Sequence, residues 1–184
     1  MVSPYAIRIL GDPVLRKRTA EVTEIDGALA GLVEKMFLTM YEAPGIGLAA
    51  PQVGVAQRFF VYDLEAGDDP KVLINPVISG FDGEWWFDEG CLSIPGQYFE
   101  ICRPKTIEVS GVDLDGNDVS FEADELLSRL VQHELDHLDG VLMLDHLDDD
   151  QAREARRIVR ELQMGRSEPV VDADEPRRRL GLFR

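Results

Sequence analysis

The chain has 184 residues, of which 45% are hydrophobic and 29% charged, and its formal net charge at pH 7 is -16. This length suits one domain with its own core, and so acidic a protein would repel nucleic-acid backbones and anionic membrane surfaces. Two cysteines cannot build a disulfide framework, and neither a signal peptide nor a run of about 18 apolar residues is visible; we therefore expect a cytoplasmic protein that binds neither DNA nor membrane.

The first predicted element is a helix over residues 26–41. Asp26 could cap its start, and apolar residues follow at spacings of three and four, namely Leu29, Leu32, Val33, Met36, Phe37 and Met40. The next segment, APGIGLAAPQVG at 43–54, contains three glycines and two prolines, which predict a closely packed loop. A structural turn would explain the glycines but not Gln52, a polar side chain among apolar neighbours.

Short β-like runs occupy the middle of the chain. Turn residues separate them, including Asp115-Gly116-Asn117 before the last run. They predict antiparallel sheets and hairpins, and the lack of regular strand–helix alternation argues against a doubly wound fold. The predicted strands cover residues 58–63, 72–74, 77–79, 84–87, 98–102, 106–112 and 118–121.

Two further helices are predicted. One begins near 123–125 and ends at Gly140, and its inner face carries Leu126, Leu130, His133 and His137. The other covers about 148–164, with Ala152, Ala155, Ile158, Val159 and Leu162 facing the core. Residues 165–184 lose this periodicity, so we expect a mobile tail. The predicted architecture is an α+β fold with antiparallel β-sheets and hairpins packed around a central HExxH helix, flanked by N-terminal and C-terminal helices, in a single domain over 1–164.

The central helix contains QHELDHLDG at 132–140. Two imidazoles one helical turn apart can hold a divalent metal, with Glu134 beside it as a general base, but such a site needs a further ligand. A metzincin would have a histidine six residues after His137, where this chain has Met143. A thermolysin-like site would use a glutamate of the last helix. Glu154 or Glu161 could serve, although salt pairs with neighbouring arginines explain both.

The segment EGCLSIPG at 89–96 offers another ligand, Cys91, in a glycine-flanked turn after a predicted strand. A thiolate with two imidazoles suits zinc or ferrous iron. Cys102 is better explained as a small buried hydrophobic residue. A closed structural zinc site would need a fourth protein ligand, for which His146 is the candidate, although a histidine in a surface loop is the simpler interpretation.

Three segments together resemble the signature motifs of the bacterial peptide deformylases: GIGLAAPQVG at 45–54, EGCLS at 89–93 and QHELDHLDG at 132–140. They follow in the family's order and at similar separations, and the resemblance extends from about residue 5 to about residue 164. It implies a metal-dependent hydrolase that removes the formyl group from the N-terminal formyl-methionine of nascent polypeptides and releases formate. Cytoplasmic N-formyl-methionyl peptides would be its substrates.

The resemblance also implies roles for individual residues. Metal-bound water would attack the formyl carbon, with Glu134 as general base and then acid, while Gln52 and the backbone N–H of Leu92 stabilise the oxyanion. The implied metal ligands are Cys91, His133 and His137. The peptide would lie along Gly45, Ile46 and Gly47 as an added strand, and Ile46 and Leu130 would line an apolar pocket for the methionine side chain.

One position departs from the family pattern. Many members carry an arginine seven residues after the metal-binding cysteine, where this chain has Tyr98, and the nearby Arg103 is not a motif match. The contacts with the distal part of the peptide therefore stay open.

The resemblance implies one divalent metal ion per chain, Fe²⁺ in the cell, with Zn²⁺, Ni²⁺ or Co²⁺ able to replace it in purified protein. Residues 165–184 hold five arginines and four acidic residues, so they have a net charge of +1 and the remainder has -17. Because the tail holds a basic cluster, Arg177–Arg179, we expect that it could contact the ribosome through RNA.

Overall fold

The computed structural model describes residues 4–65, 67 and 69–164, without the side chains of Val159, Leu162 and Gln163. Over these residues the chain has an α+β fold with antiparallel sheets and three α-helices. The helices are α1 (Gly27–Glu42), α2 (Glu125–Asp139) and α3 (Asp149–Gln163). The strands are β1 (Gly47–Ala49), β2 (Phe59–Tyr62), β3 (Lys71–Asp82), β4 (Trp85–Cys91), β5 (Ile94–Arg103), β6 (Thr106–Val112) and β7 (Asp118–Asp124). Short 3-10 helices cover Pro13–Arg16, Ala50–Val53 and Met143–His146.

The strands form two sheets. Five of them pair antiparallel in the order β1-β2-β3-β6-β7, and β4 and β5 form a separate hairpin. The predicted strands at 72–74 and 77–79 are parts of one strand, β3, because the ladder continues past a bulge at Asn75 and Pro76. Asn75 has a positive φ of 51°, and its side chain accepts from the Val22 N–H and donates to the Val22 carbonyl, both at 2.9 Å. These bonds hold the bulge in place.

The segment 43–54 is more regular than a loop. Gly47–Ala49 forms β1 at one edge of the larger sheet, with Gly47 opposite Tyr62, and Ala50–Val53 forms a 3-10 helix. The prediction of a loop was wrong there because β2, not the local sequence, supplies the hydrogen-bond partners of this strand. The prediction of close packing is confirmed, since Leu48 and Gln52 are buried.

Helices α1 and α2 cover opposite faces of the larger sheet. Val33 and Met36 of α1 pack with Phe59 and Val61 of β2, whereas Leu130 and Leu138 of α2 belong to a second cluster, built on Phe60 and Tyr62. All four residues of β2 are consequently buried. A third cluster joins the β4–β5 hairpin to the 3-10 helix at Met143–His146.

The predicted ends of the helices are confirmed to within about two residues. The Asp26 side chain accepts hydrogen bonds from the backbone of Ala28 and Leu29 at the start of α1, and Asp124 caps α2. Gly140 ends α2 in the left-handed conformation, with φ 75°. In α3, Ala152 and Ala155 are buried as predicted, and Ile158 is half-buried. The predicted tail, 165–184, lies outside the described residues, among which no helix is long and apolar enough to cross a membrane.

Candidate metal centre

The fold brings Cys91, His133 and His137 together although they come from two separate elements. Cys91 is the last residue of β4, where the pairing with β5 shifts register, and the two histidines lie one turn apart on the buried face of α2. Cys91 Sγ lies 3.2 Å from His137 Nε2. One ligand atom from each of the three residues lies within 4.8 Å of the others, and all three residues are buried. Among the described residues, this is the group suited to hold a metal ion.

Glu89 is a buried carboxylate that orients one of these histidines. His133 Nδ1 donates to Glu89 Oε1 at 2.6 Å, which leaves the Nε2 side of the ring for the cluster. Arg103 forms two bonds with the same carboxylate, through Nε and Nη2, each 2.7 Å long. A histidine ligand commonly donates its other ring nitrogen to a carboxylate, which fixes the tautomer and raises the basicity of the ligand.

The charges around the cluster change the pKa values of both imidazoles. Burial alone would lower the pKa of His133, but Cys91 and Glu89 raise it well above its usual range. For His137, burial and then the neighbouring His133 lower the pKa well below its usual range. Burial opposes a charge on Glu89, yet its partners Arg103 and His133 hold the pKa of this carboxyl well below normal. A cation that binds here would replace the proton on His133, so metal binding is coupled to proton release.

Glu134 faces the same region from the next position on α2. It is buried, and its Oε2 has no hydrogen-bond partner among the described residues. Burial raises the pKa of Glu134 to about 7. A Cβ atom at Gly47 of β1 would collide with Glu134 Oε1, so the glycine is needed for β1 to approach the carboxylate. A carboxyl that titrates near neutrality in a cleft is suited to accept and return a proton.

Gln52 reaches the cluster from the 3-10 helix after β1. Its Oε1 accepts from the Ala49 N–H at 2.8 Å, and its Nε2 donates to Ser93 Oγ at 3.2 Å and to Cys91 Sγ at 3.8 Å. The amide nitrogen is therefore held beside the thiol with a fixed orientation. Leu92 follows Cys91 in the turn between β4 and β5.

A cleft of about 360 Å³ opens over the cluster, within the usual range for small-ligand sites. Its walls include every residue predicted to bind substrate, namely Gly45, Ile46, Gly47 and Leu130, together with Gln52, Leu92 and Glu134. A Cβ at Gly45 would come within 2.7 Å of Leu92 Cδ1, so the glycine allows Leu92 to pack closely against this segment of the cleft wall. Tyr98, at the position where the family pattern often has arginine, also lines the cleft.

The other candidate ligands lie elsewhere. His146 Nε2 lies 2.7 Å from Asp136 Oδ2 near the surface, away from the cluster. Glu154 and Glu161 both pair with Arg157 on the exposed face of α3, and Met143 is a core residue. Cys102 is only half-buried, which corrects its interpretation as a buried hydrophobic residue.

Arg103 cannot replace the missing arginine of the cleft. Its side chain is buried, and besides the two bonds to Glu89 it pairs through Nη1 with Asp136 at 2.9 Å. The sequence motifs give no role to Glu89 or to the two arginines that hold it, Arg103 and Arg129. The position of Glu89, two residues before Cys91, is the one sequence feature that pointed to a role at the site. Its hydrogen-bond partners could not be predicted, because they lie 14 to 44 residues away along the chain.

The donor set fits a divalent metal ion. One sulfur and two imidazole nitrogens converge, and a carboxylate holds one imidazole in the orientation needed for binding. Among the described residues, the buried Glu134 Oε2 lacks a hydrogen-bond partner. Buried polar atoms are usually paired, so this shortage is typical of a site that is completed by a bound group.

Known proteins match both the sequence and the fold. Residues 4–153 match the family model described as polypeptide deformylase. The peptide deformylase of Hydrogenovibrio crunogenus is 51% identical over 137 residues, which are 74% of this chain and 81% of that protein. The peptide deformylase of Acidothermus cellulolyticus is 43% identical over 173 residues, or 94% and 95% of the two chains. The crystal structure of a peptide deformylase from Legionella pneumophila superposes with a TM-score of 0.84 at 37% identity, covering 89% of this chain and 99% of that one.

Proposed function

The chain belongs to the polypeptide deformylase family, and on that premise we propose how its residues carry out the reaction. The enzyme is a metal-dependent hydrolase that removes the formyl group from N-formyl-methionyl peptides. The observation that carries the proposal is the convergence of Cys91, His133 and His137 beneath a cleft that also contains Glu134. These first three residues would hold one divalent ion, which when bound lowers the pKa of water and polarises the formyl carbonyl.

Glu134 moves the proton in this proposal. Its carboxylate takes a proton from the attacking water, the C–N bond of the formamide breaks, and the same proton passes to the amine of the released methionine while formate departs. The support is its burial, its pKa of about 7, and an oxygen without a hydrogen-bond partner in the structure.

Gln52 and Leu92 stabilise the negative charge that develops on the formyl oxygen. Gln52 Nε2 is held near Cys91 by the bond from the Ala49 N–H to Gln52 Oε1, and the Leu92 N–H belongs to the residue after the thiolate. A donor that is held in place before the reaction costs no reorganisation during it, and removing one such donor typically costs about 3 kcal/mol.

The peptide binds along β1. This strand lies at an edge of the larger sheet, and its first residue, Gly47, lines the cleft together with the preceding Gly45 and Ile46. An edge strand can pair with the backbone of an extended peptide whatever its sequence, while a side-chain pocket supplies selectivity. Ile46 and Leu130 provide apolar walls for the methionine side chain.

Formate release from a formyl-Met peptide by metal-loaded protein tests the activity. Three arms separate the alternatives: formyl-Met-Ala-Ser, the same peptide without formyl, and Cys91→Ala with its metal content measured. We expect formate from the first, no peptide-bond cleavage in the second, and loss of bound metal in the third. Peptide-bond cleavage by the wild-type protein would favour a metallopeptidase. A wild-type protein that binds metal but releases no formate and cleaves no peptide bond would favour a structural zinc site.

We further propose that the metal is Fe²⁺ in the cell. One thiolate and two imidazoles bind zinc more tightly, by the usual affinity order, but ferrous iron accepts a fifth ligand more readily than zinc does. Iron-loaded protein prepared without oxygen should therefore exceed the zinc form in activity and lose that advantage in air through oxidation of iron or of Cys91. Nickel or cobalt should give an air-stable active form. Formate release by samples of one preparation, each loaded with a different metal, tests the assignment of Fe²⁺. A zinc form as active as the iron form would overturn it.

The remaining proposals concern the organisation of the chain. Residues 1–164 would form a single catalytic domain around α2 as its central element, which is supported by the contacts of α2 with β1, β6 and β7. The enzyme would act in the cytoplasm on nascent chains. The basic cluster within 165–184 would contact the ribosome, so deletion of 166–184 should weaken co-sedimentation with ribosomes at low salt but leave activity on small peptides unchanged. Unchanged co-sedimentation would remove this last idea.

A further inference from the structure

Arg129 is a buried cation that the proposed mechanism does not use. It lies on α2 one turn before His133, and its side chain is 4% exposed. Taking a guanidinium out of water is costly unless its partners are well placed. The contacts that hold it therefore indicate what the residue does.

Those contacts join two parts of the protein. Arg129 Nη1 donates to Glu89 Oε2 at 2.9 Å, and Nη2 donates to the backbone carbonyls of Trp85 at 2.7 Å and Ile101 at 3.0 Å. The guanidinium also lies over the Trp85 ring, with Cζ 5.0 Å from the ring centroid. A single side chain of α2 thus binds β4, β5 and the carboxylate that orients His133.

This junction joins the two elements that carry the candidate ligands, beside the Arg103–Asp136 and Glu89–His133 pairs. The β4–β5 hairpin pairs with no other described strand, so its position relative to α2 depends on side-chain contacts. Cys91 belongs to the hairpin, whereas His133 and His137 belong to the helix. Any shift of the hairpin on the helix would therefore change the distance between the sulfur and the two imidazoles.

Arg129 also supplies the fourth hydrogen bond that the Glu89 carboxylate accepts. Oε1 accepts from His133 Nδ1 and Arg103 Nη2, and Oε2 accepts from Arg103 Nε and Arg129 Nη1. With all four acceptor positions filled, the carboxylate cannot rotate without breaking charge-assisted bonds. Arg103 comes from the hairpin itself, so Arg129 is the arginine that supplies the bond to Glu89 from the helix.

We propose that Arg129 is a positioning residue that locks the β4–β5 hairpin onto α2 and thereby sets the relative positions of Cys91, His133 and His137. This inference rests on the proposed function, because it assigns Arg129 to the geometry of the proposed metal site. Arg129 does not touch the reacting atoms in this scheme. Arg129 also lines the cleft, so the test follows metal release and the Co²⁺ spectrum, which depend on the ligand geometry that Arg129 reaches through Glu89 and the hairpin.

The test uses full-length protein loaded with Zn²⁺ or Co²⁺, and the variant Arg129→Met. Methionine keeps most of the apolar stem and removes every bond of the guanidinium. Mutation of a residue that orients metal ligands typically lowers metal affinity about 10- to 100-fold. We therefore expect Zn²⁺ release to a chelator to become about 10- to 100-fold faster, and the visible absorption bands of the Co²⁺ protein to shift. Arg129→Lys keeps the charge but not the planar fork, so its release rate should lie between those of wild type and Arg129→Met.

Arg58→Met is the matched control. Arg58 also pairs with α2, through Nη1 and Asp139 Oδ1 at 2.7 Å, and its side chain is 12% exposed, but it touches neither the hairpin nor Glu89. Its Zn²⁺ release and Co²⁺ spectrum should match those of wild type. Equal acceleration in both variants would overturn the proposal in favour of a general effect on helix stability.

If Arg129→Met released Zn²⁺ at the wild-type rate and kept the wild-type Co²⁺ spectrum, the proposal would also be overturned. If that variant does not fold, Arg129→Lys decides the question, since wild-type metal release there would exclude the role. Formate release by the wild-type protein is measured in parallel. Its absence would refute the proposed function, whereas an active wild type with unchanged metal release in the Arg129 variants would refute this inference alone.

Discussion

At the scale of single residues, Glu134 and the three candidate ligands are neighbours with different predicted tasks. Glu134→Gln keeps the size and polarity of the side chain but cannot accept a proton. We expect metal content to remain near that of wild type, because the proposed mechanism gives Glu134 the role of base and not of ligand, and turnover to fall by about 10²–10⁴-fold. Elemental analysis and formate release on the same sample check both points. Loss of the metal would instead make Glu134 a ligand, and retained turnover would exclude it as the base.

The titration of Glu134 predicts a pH dependence. The general base must be ionised, and burial raises the pKa of this carboxyl to about 7, so the active form is lost as the pH falls through the pKa. A bound cation nearby favours the carboxylate, which places the midpoint of the acid limb of kcat/KM at or below about 7. The rate should fall about tenfold per pH unit below that midpoint. Circular dichroism over the same range controls for unfolding. A kcat/KM that does not change between pH 8 and pH 5 would contradict the assignment.

At the scale of elements, the end of α2 depends on one glycine. Gly140 has φ 75°, and an added Cβ would lie 2.8 Å from the backbone carbon of Arg16. Gly140→Ala should therefore lower the free energy of unfolding by at least about 1–2 kcal/mol, the usual cost of the left-handed conformation alone.

Gly31→Ala is the control for this element and should act in the opposite direction. Gly31 lies inside α1, and a Cβ there would meet no atom within 4 Å, so the substitution should stabilise the protein by about 0.5–1 kcal/mol. Urea denaturation of the two variants beside wild type measures both changes. Equal stabilisation by both substitutions would show that helix propensity, and not the conformation at Gly140, governs the first variant.

At the scale of the whole molecule, metal binding should add to a fold that is already stable without it. The two larger core clusters, one under α1 and one under α2, are built from apolar side chains and do not include Cys91. The metal-free protein should therefore remain folded, and addition of Zn²⁺ should raise its Tm, because a ligand that binds only the native state stabilises it by about 2.7 kcal/mol at 100 times Kd. Thermal melts with and without chelator measure the shift. His137→Ala should abolish it, and a metal-free protein without cooperative melting would contradict the expectation.

The helices and the motif pattern could be predicted from the sequence because both depend on residues close together in the chain. Asp26 and Asp124 cap helices whose apolar positions repeat every three or four residues. The same periodicity places His133 and His137 on the buried face of α2, and Gly140 marks its end. For such features the sequence determines the structure locally, through capping bonds and the burial of one helical face.

Only the tertiary structure decided which distant residues would meet. The pairing of Gly47 with Tyr62 turned a predicted loop into an edge strand, and pairing with β6 on both sides of the bulge at Asn75 joined two predicted strands into one. The network around Glu89 likewise depends on partners from β5 and α2. A charged residue can be paired or solvated with the same local sequence, and only the folded chain decides which partner comes within hydrogen-bonding distance and whether water is excluded from the pair.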